Sequence, residues 1–203
     1  MKKILAILFL GLALYCLWWW FFKDSGSSGD TKVAALKVSK HSAIFNNSIR
    51  SVVLAYLDTK GSLVEADSLK ALENGKKFLS LLDSMKLDEL KKDTNSISTT
   101  AIAVVGDIKS NASAMVRETN LREMRKDFKM VTENLYPFLK TIHYEGPKLL
   151  LQNCPMAFGE GNDANWISDS TERIDRMNPY LGKHDPEFKA TMLHCGTVVD
   201  SID

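Results

Sequence analysis

The chain has 203 residues, a formal net charge of +1 and a charged fraction of 25%. This length accommodates one domain and an additional segment. A balanced charge offers no basic surface for nucleic acid, so nucleic acid is not an expected partner. The sequence contains no glycine-rich phosphate loop, no His-Glu-x-x-His motif and no nucleophile elbow. We therefore do not expect an enzyme.

The N-terminus has the pattern of a membrane anchor. An apolar run from Ile4 to Phe22 follows Lys2 and Lys3, and as a helix it would span roughly 28 Å, close to the hydrocarbon thickness of a bilayer. The two lysines favour a cytoplasmic N-terminus. Residues 1–23 are thus expected to form a single-pass transmembrane helix in the inner membrane, with the remainder in the periplasm. A signal peptide is the alternative, although the bulky end of the run fits a cleavage site poorly.

A serine- and glycine-rich linker, 24–30, is expected to join the anchor to the folded domain. The domain begins with a helical pattern over 33–57, which Gly61 is expected to break. One face of this first helix is apolar: Val38, Phe45, Ile49, Val52, Val53 and Tyr56.

The second helix is expected to begin at a capping box formed by Ser62 and Glu65. It should reach about residue 82. Its expected buried stripe is Ala66, Leu69, Leu72, Leu79 and Leu82.

Two further helices follow a polar break. The third is marked by Ile97, Ala101, Val104, Val105, Ile108 and Ala112. Asn120 is expected to cap the fourth, and Pro137 should kink or end it locally. Apolar residues of the fourth helix alternate spacings of four and three, the pattern of a bundle seam: Leu121, Met124, Phe128, Val131, Leu135, Phe138 and Ile142.

Four amphipathic helices with short connections predict a mainly α fold, an up-down four-helix bundle over 31–142. Beyond it the helical period disappears, and 149–151 and 192–199 have the character of short extended segments. Residues 143–203 are thus expected to form a loop-rich lobe packed on the bundle. Such a lobe has little core of its own and needs a covalent or metal staple.

Two sulfur-bearing pairs lie at the ends of this lobe. Cys154 and Met156 precede a segment rich in glycine and asparagine, and Met192 and Cys195 follow it. Thiolates and thioethers are the soft ligands that select Cu(I). Outside the cytoplasm, a cysteine pair forms either a disulfide or a metal site. Both alternatives require the two cysteines to be neighbours in space.

Four blocks of the tail resemble, in order, the signature of an uncharacterised bacterial helical domain family. The blocks are Gln152-x-Cys154-Pro155-Met156-Ala157, Trp166-Ile167-Ser168, Asn178-Pro179-Tyr180-Leu181-Gly182 and Met192-Leu193-x-Cys195-Gly196. Arg125-Lys126-x-Phe128 upstream is similar as well. A polar insertion, Lys183 to Thr191, departs from the pattern and contains His184.

Members of that family also occur fused to periplasmic adaptor subunits of copper/silver efflux pumps. The resemblance therefore implies a helical bundle that carries a Cys/Met lobe and binds soft heavy metals in sensing, buffering or export. It implies an efflux-pump or envelope protein as a partner, and the predicted anchor adds the membrane. The alternative is a structural or protein-interaction module of the envelope whose cysteines form a disulfide.

The expected ligands of a Cu(I) ion are Cys154, Met156, Met192 and Cys195. His41 is a fifth candidate, because it lies on the buried side of the first helix and could complete a site if the lobe docks there. A helical histidine is more often only packed or hydrogen-bonded. His143 and His194 are weaker candidates. For His194 the reason is that its side chain and that of Cys195 would point to opposite faces of a strand.

Overall fold

In a computed structural model, the structure describes residues 41–92, 95–169 and 176–203. The helices are α1 (Ala43–Val64), α2 (Ser68–Asp83), α3 (Asn95–Met115) and α4 (Leu121–Thr141), with a 3-10 helix at Asp88–Lys92 between α2 and α3. The strands are β1 (Leu149–Cys154), β2 (Ala164–Ser168) and β3 (Thr197–Ile202). The fold is mainly helical, as predicted, and a small sheet accompanies the four helices.

The predicted anchor over 1–23 and the linker over 24–30 lie outside the described residues. Within the described ranges, no helix combines the length and the apolar character needed to cross a membrane.

Neighbouring helices of the bundle run antiparallel. Along α1 and α2, Ser62 contacts Asn74, and Asp58 pairs with Lys77. Contacts between α1 and α4 likewise run in opposite order: Leu63 bonds to Arg125, Tyr56 to Thr132, and His41 to Ile142. The pairing of α1 with α2 follows from the short connection between them, which returns the chain directly along the preceding helix.

The boundary between the first two helices was predicted wrongly. Helix α1 continues through Gly61 to Val64, because Ser62 donates its hydroxyl to the Asp58 carbonyl one turn back instead of capping a new helix. The chain then turns at Ala66, whose φ is 58°. Asp67 is the actual N-cap of α2, and its carboxylate accepts from the Lys70 N–H at 2.9 Å.

The buried face of α2 also differs from the predicted stripe. Ala71, Gly75, Phe78 and Leu82 are buried. Leu69 is 80% exposed. Only Leu82 of the predicted set is fully buried. The N-cap of α2 lies five residues later than expected, and the helix packs through the adjacent face.

Helices α3 and α4 follow their predicted patterns. Ala101, Val105, Ile108 and Ala112 are buried on α3. On α4, the predicted seam from Met124 to Phe138 is buried, and Ile142 lies buried just beyond it, while Leu121 is partly buried. Asn120 caps the helix by accepting from the Arg122 N–H at 2.8 Å. The helix does not end at Pro137 but continues to Thr141.

The C-terminal lobe contains a three-stranded antiparallel sheet in the order β2-β1-β3. Strand β2 was not predicted, and residues 192–195 form a turn that precedes β3. Gln152 on the central strand pairs with Trp166 on one side and with Val198 on the other. A register irregularity between Leu151 and Gln152 interrupts the β1–β3 ladder.

A continuous core joins the lobe to the bundle. Phe128 on α4 stacks on Tyr56 of α1 with ring centroids 4.8 Å apart, and it lies 6.3 Å from the ring of Tyr180 in the lobe. Trp166 of β2 meets Tyr180 edge-on from the sheet side. All four rings are buried, so the lobe shares the hydrophobic core of the bundle.

Phe128→Ala should lower the free energy of unfolding by about 3–5 kcal/mol, because it empties a site at the centre of this core. Phe128 is 1% exposed. Denaturant titration of the full-length protein measures the change. Leu69→Ala is the matched control, and its effect should stay within about 0.5 kcal/mol, the usual range for an exposed side chain. A loss below about 1 kcal/mol for Phe128→Ala would contradict the packing described above.

Candidate functional site

The two cysteines of the lobe are neighbours. Cys154 is the last residue of β1 and is fully buried, and Cys195 lies half-buried in the turn before β3. Both are free cysteines, and the Cys154 side chain lies close enough to Cys195 to raise its pKa. The spatial proximity predicted for these residues, 41 positions apart in the sequence, is therefore confirmed.

The environment of Cys195 favours the protonated thiol. Burial, and then the neighbouring Cys154, raise the pKa of Cys195 to about 12. A thiol with a raised pKa is a weak nucleophile at neutral pH, because the thiolate is the reactive form. Cys195 is therefore expected to be mainly in its thiol form at neutral pH.

The turn that carries Cys195 is held by Asn178, which is fully buried. Its Nδ2 donates to the Cys195 carbonyl at 3.0 Å, and its backbone N–H donates to the Leu193 carbonyl at 2.7 Å. Its Oδ1 accepts from the N–H groups of Tyr180 and Leu181. Asn178 thus fixes the turn at residues 178–182 against the segment that contains Cys195.

Gly196 permits the close approach of that segment to the sheet. Its φ is 141°, a conformation that favours glycine, and a Cβ there would lie 3.1 Å from the Asn153 carbonyl oxygen and inside the Trp166 ring. A larger residue would push Cys195 away from Cys154, so the glycine is a condition for contact between the thiols.

Met156 and Met192 are both half-buried and pack against the core. The Cys195 N–H donates to the Met192 carbonyl at 2.9 Å, which places Met192 one turn before Cys195. Met156 accepts through its carbonyl from the Gly159 N–H, in the turn that follows Cys154. Each thioether is therefore attached to a short turn that begins or ends at a cysteine.

His41 is not brought to the cysteines. Its Nε2 lies 2.6 Å from the carbonyl oxygen of Ile142, and its Nδ1 lies 3.3 Å from the Glu89 carboxylate. The ring also stacks on Phe45. Both ring nitrogens thus have partners at the end of the bundle where α4 terminates.

The cysteine pair lies nearer the N-terminus of α4, away from His41. Lys129 donates to the Asp163 carbonyl, and the adjacent Ala164 pairs with Cys154. Thirteen helical residues separate Lys129 from Ile142, or about 20 Å at 1.5 Å per residue. His41 is buried, but it was wrongly placed on the first helix, because it precedes the N-cap Ser42 of α1. It packs away from the cysteines and leaves the candidate ligand set. His143 and His194 are exposed.

The described side chains do not form a conventional metal-ligand cluster. Within the described part of the chain, no group of three or more His, Cys, Asp or Glu side chains could hold a metal ion. A closed tetrahedral zinc site needs four such ligands. Thiolates and thioethers are the soft ligands that Cu(I) prefers.

The lobe docks on the C-terminus of α1, a contact that the sequence did not reveal. The Lys183 N–H donates to the Val64 carbonyl at 2.9 Å, and Arg125 of α4 donates through Nη2 to the Leu63 carbonyl at 3.0 Å. Gly182 lies directly on these carbonyls. The lobe thereby pairs the Val64 carbonyl, and the Leu63 carbonyl, which also accepts from the Ala66 N–H, gains a second donor from a buried cation.

A family model described as Protein of unknown function (DUF3347) matches residues 52–145, less than half of the chain. The matched segment runs from within α1 to just beyond the end of α4, so the helices of this chain are similar to that family. The match ends before Cys154, and the cysteine signature and its link to efflux pumps stay predictions. No curated protein and no solved structure matches the chain.

Gly182→Ala should cost about 1–3 kcal/mol of stability, because the added methyl group would overlap the backbone at the end of α1. A Cβ at position 182 would lie 3.0 Å from the Leu63 carbonyl oxygen and still closer to that of Val64. Denaturant titration measures the loss, and faster maleimide labelling of the buried Cys154 should accompany it.

Gly61→Ala is the matched control, because Gly61 lies inside α1 with nothing within 4 Å of an added Cβ. It should stabilise the protein by about 0.5–1 kcal/mol. Equal stability of the two variants would show that the lobe does not dock tightly on α1.

Proposed function

We propose that this protein binds a soft metal ion, Cu(I) in particular, through Cys154 and Cys195. The contact between the two thiols supports the proposal most directly. Cu(I) prefers thiolate ligands, and two sulfurs on neighbouring segments can approach one ion without large movement of the backbone. The ion is the cargo of this protein and not a structural element, because the lobe already shares a core with the bundle.

Met156 and Met192 are proposed as the supporting thioether ligands. Each lies within three residues of a cysteine and is half-buried, so rotation about its side-chain bonds can carry the sulfur toward the thiols. Methionine has three rotatable bonds and a polarisable sulfur, which suits a site that takes up and releases an ion.

The biological setting follows from the N-terminus and from the resemblance of the tail. A single-pass anchor over 1–23 would hold the domain on the periplasmic face of the inner membrane. There a Cu(I)-binding lobe could sense, buffer or deliver the ion to an export system. An efflux-pump subunit or another envelope protein is the proposed partner.

The same contact supports a second candidate, a structural or protein-interaction module whose cysteines form a disulfide. A disulfide would lock β1 to the turn before β3 and remove both thiolates. Mass spectrometry of peptides that contain Cys154 and Cys195, from protein purified with and without reductant, distinguishes the two. A linked peptide pair that persists in the cellular protein would favour the structural module over metal binding.

Cys154→Ser should abolish Cu(I) uptake by the reduced full-length protein, and Met192→Leu should weaken it several-fold while preserving the fold. Leucine is close to methionine in volume, so only the thioether is lost. Competition with a chromophoric Cu(I) chelator measures the affinity, in a Cys16→Ser background that leaves the pair as the sole cysteines.

Met130→Leu is the matched control, since Met130 is an exposed methionine on α4. It should leave uptake unchanged. Circular dichroism should show that the Cys154→Ser variant remains folded. Undiminished Cu(I) affinity in both Cys154→Ser and Met192→Leu would exclude the proposed site.

Cu(I) affinity should rise with pH across the neutral range. Burial and the neighbouring Cys154 raise the pKa of Cys195, so the ion must displace a proton that the thiol still holds at neutral pH. Each released proton increases the apparent affinity by up to about tenfold per pH unit. Chelator competition at several pH values measures the slope. Cys195→Ser should reduce it, and a slope of zero in the parent protein would contradict thiolate coordination.

A further inference from the structure

A second site lies beside the cysteine pair. A cavity of about 270 Å³ opens between the first turns of α4 and the insertion that follows Gly182. Phe158, Leu181 and Phe188 supply its apolar walls. The volume lies near the lower limit for small-molecule sites, which restricts an occupant to a small compound.

One side of the cavity is positively charged. Arg122 and Arg125 of α4 both line it. Arg125 is only 5% exposed, and its Nη2 is used by the Leu63 carbonyl, whereas its Nε is buried with no hydrogen-bond partner. Arg125 therefore brings its charge to the wall of the cavity, while its Nε is enclosed by protein.

The opposite side is negatively charged. Asp185 and Glu187 belong to the insertion and line the same cavity. The Asp185 Oδ1 is fixed by the N–H groups of Glu187 and Phe188, at 3.0 and 2.8 Å. Burial lowers the pKa of Arg125, and the negative charge of Asp185 partly opposes that effect. Among the described residues, however, no ion pair joins either arginine to either acid.

We propose that this cavity binds a small zwitterion with an apolar body, such as a free hydrophobic amino acid. Its carboxylate would meet Arg122 and Arg125, its ammonium group would meet Asp185 and Glu187, and its side chain would contact the aromatic walls. The four charges cancel, which disfavours a simple anion or a simple cation. The apolar walls disfavour an inorganic ion. This site is independent of the proposed Cu(I) site.

Isothermal titration calorimetry of the full-length protein with L-phenylalanine and L-leucine tests the proposal. At least one of the two should bind, and L-phenylalanine should bind about tenfold or more tightly than 3-phenylpropionate, which lacks the ammonium group, or 2-phenylethylamine, which lacks the carboxylate. Absence of saturable binding by both amino acids would overturn the proposal. Equal binding of either single-charge analogue would overturn it as well.

Arg122→Gln and Glu187→Gln separate the two halves of the site, and both residues are exposed, so neither change should affect folding. Each should weaken amino-acid binding at least several-fold. Lys126→Gln is the matched control, because Lys126 lies one turn further along α4, pairs with Glu123 and does not line the cavity. Unchanged binding in both test variants, or an equal loss in Lys126→Gln, would place the ligand elsewhere and refute the site.

Discussion

The Tyr56 hydroxyl connects helix α1 to helix α4 and to strand β2. It accepts a hydrogen bond from the Ile167 N–H of β2 at 3.1 Å and bonds to Thr132 Oγ1 of α4 at 2.7 Å. Because Thr132 donates its own proton to the Phe128 carbonyl, Tyr56 must be the donor toward Thr132. The chain of bonds is therefore directional and complete, and burial raises the pKa of Tyr56, which keeps the hydroxyl protonated. A satisfied polar network in a core fixes one arrangement of the surrounding elements, since any shift would leave a buried group unpaired.

This constraint extends to the cysteines through β2 and β1. Once Tyr56 fixes Ile167, the neighbouring Trp166 is placed against Gly196, and the end of β1 is placed beside the turn of Cys195. Asn178 then holds that turn from the other side. The contact between the thiols is thus a property of the whole domain, although only two residues form it. Metal binding by such a site would depend on a preformed geometry, which lowers the ordering cost of taking up an ion.

The insertion after Gly182 contributes one wall of a charged cavity in the lobe. Residues from α4 and from the insertion place opposite charges around one cavity and keep them from pairing. Arg125 has two roles, because it lines the cavity and also donates to the Leu63 carbonyl at the end of α1. The turn that follows Cys154 reaches the same cavity through Ala157 and Phe158. The dithiol and the cavity are therefore carried by adjoining segments, and each has its own chemistry.

The sequence by itself determined the helices whose apolar period is long and whose cap is clear. Helix α4, with Asn120 and its seam of alternating four- and three-residue spacings, is the best case, and the proximity of Cys154 and Cys195 followed from the need to tie a turn-rich segment. The sequence pattern predicted the end of α1 wrongly at Gly61 and Ser62. These residues also permit a break, but packing against α4 and the lobe keeps α1 helical there. The sequence pattern also did not predict β2, because this strand is short and its pairing partners come from distant segments. Only the tertiary structure separated His41 from the cysteines and brought Arg125 to Asp185, because these relations depend on how helices pair and not on the spacing of residues along one of them.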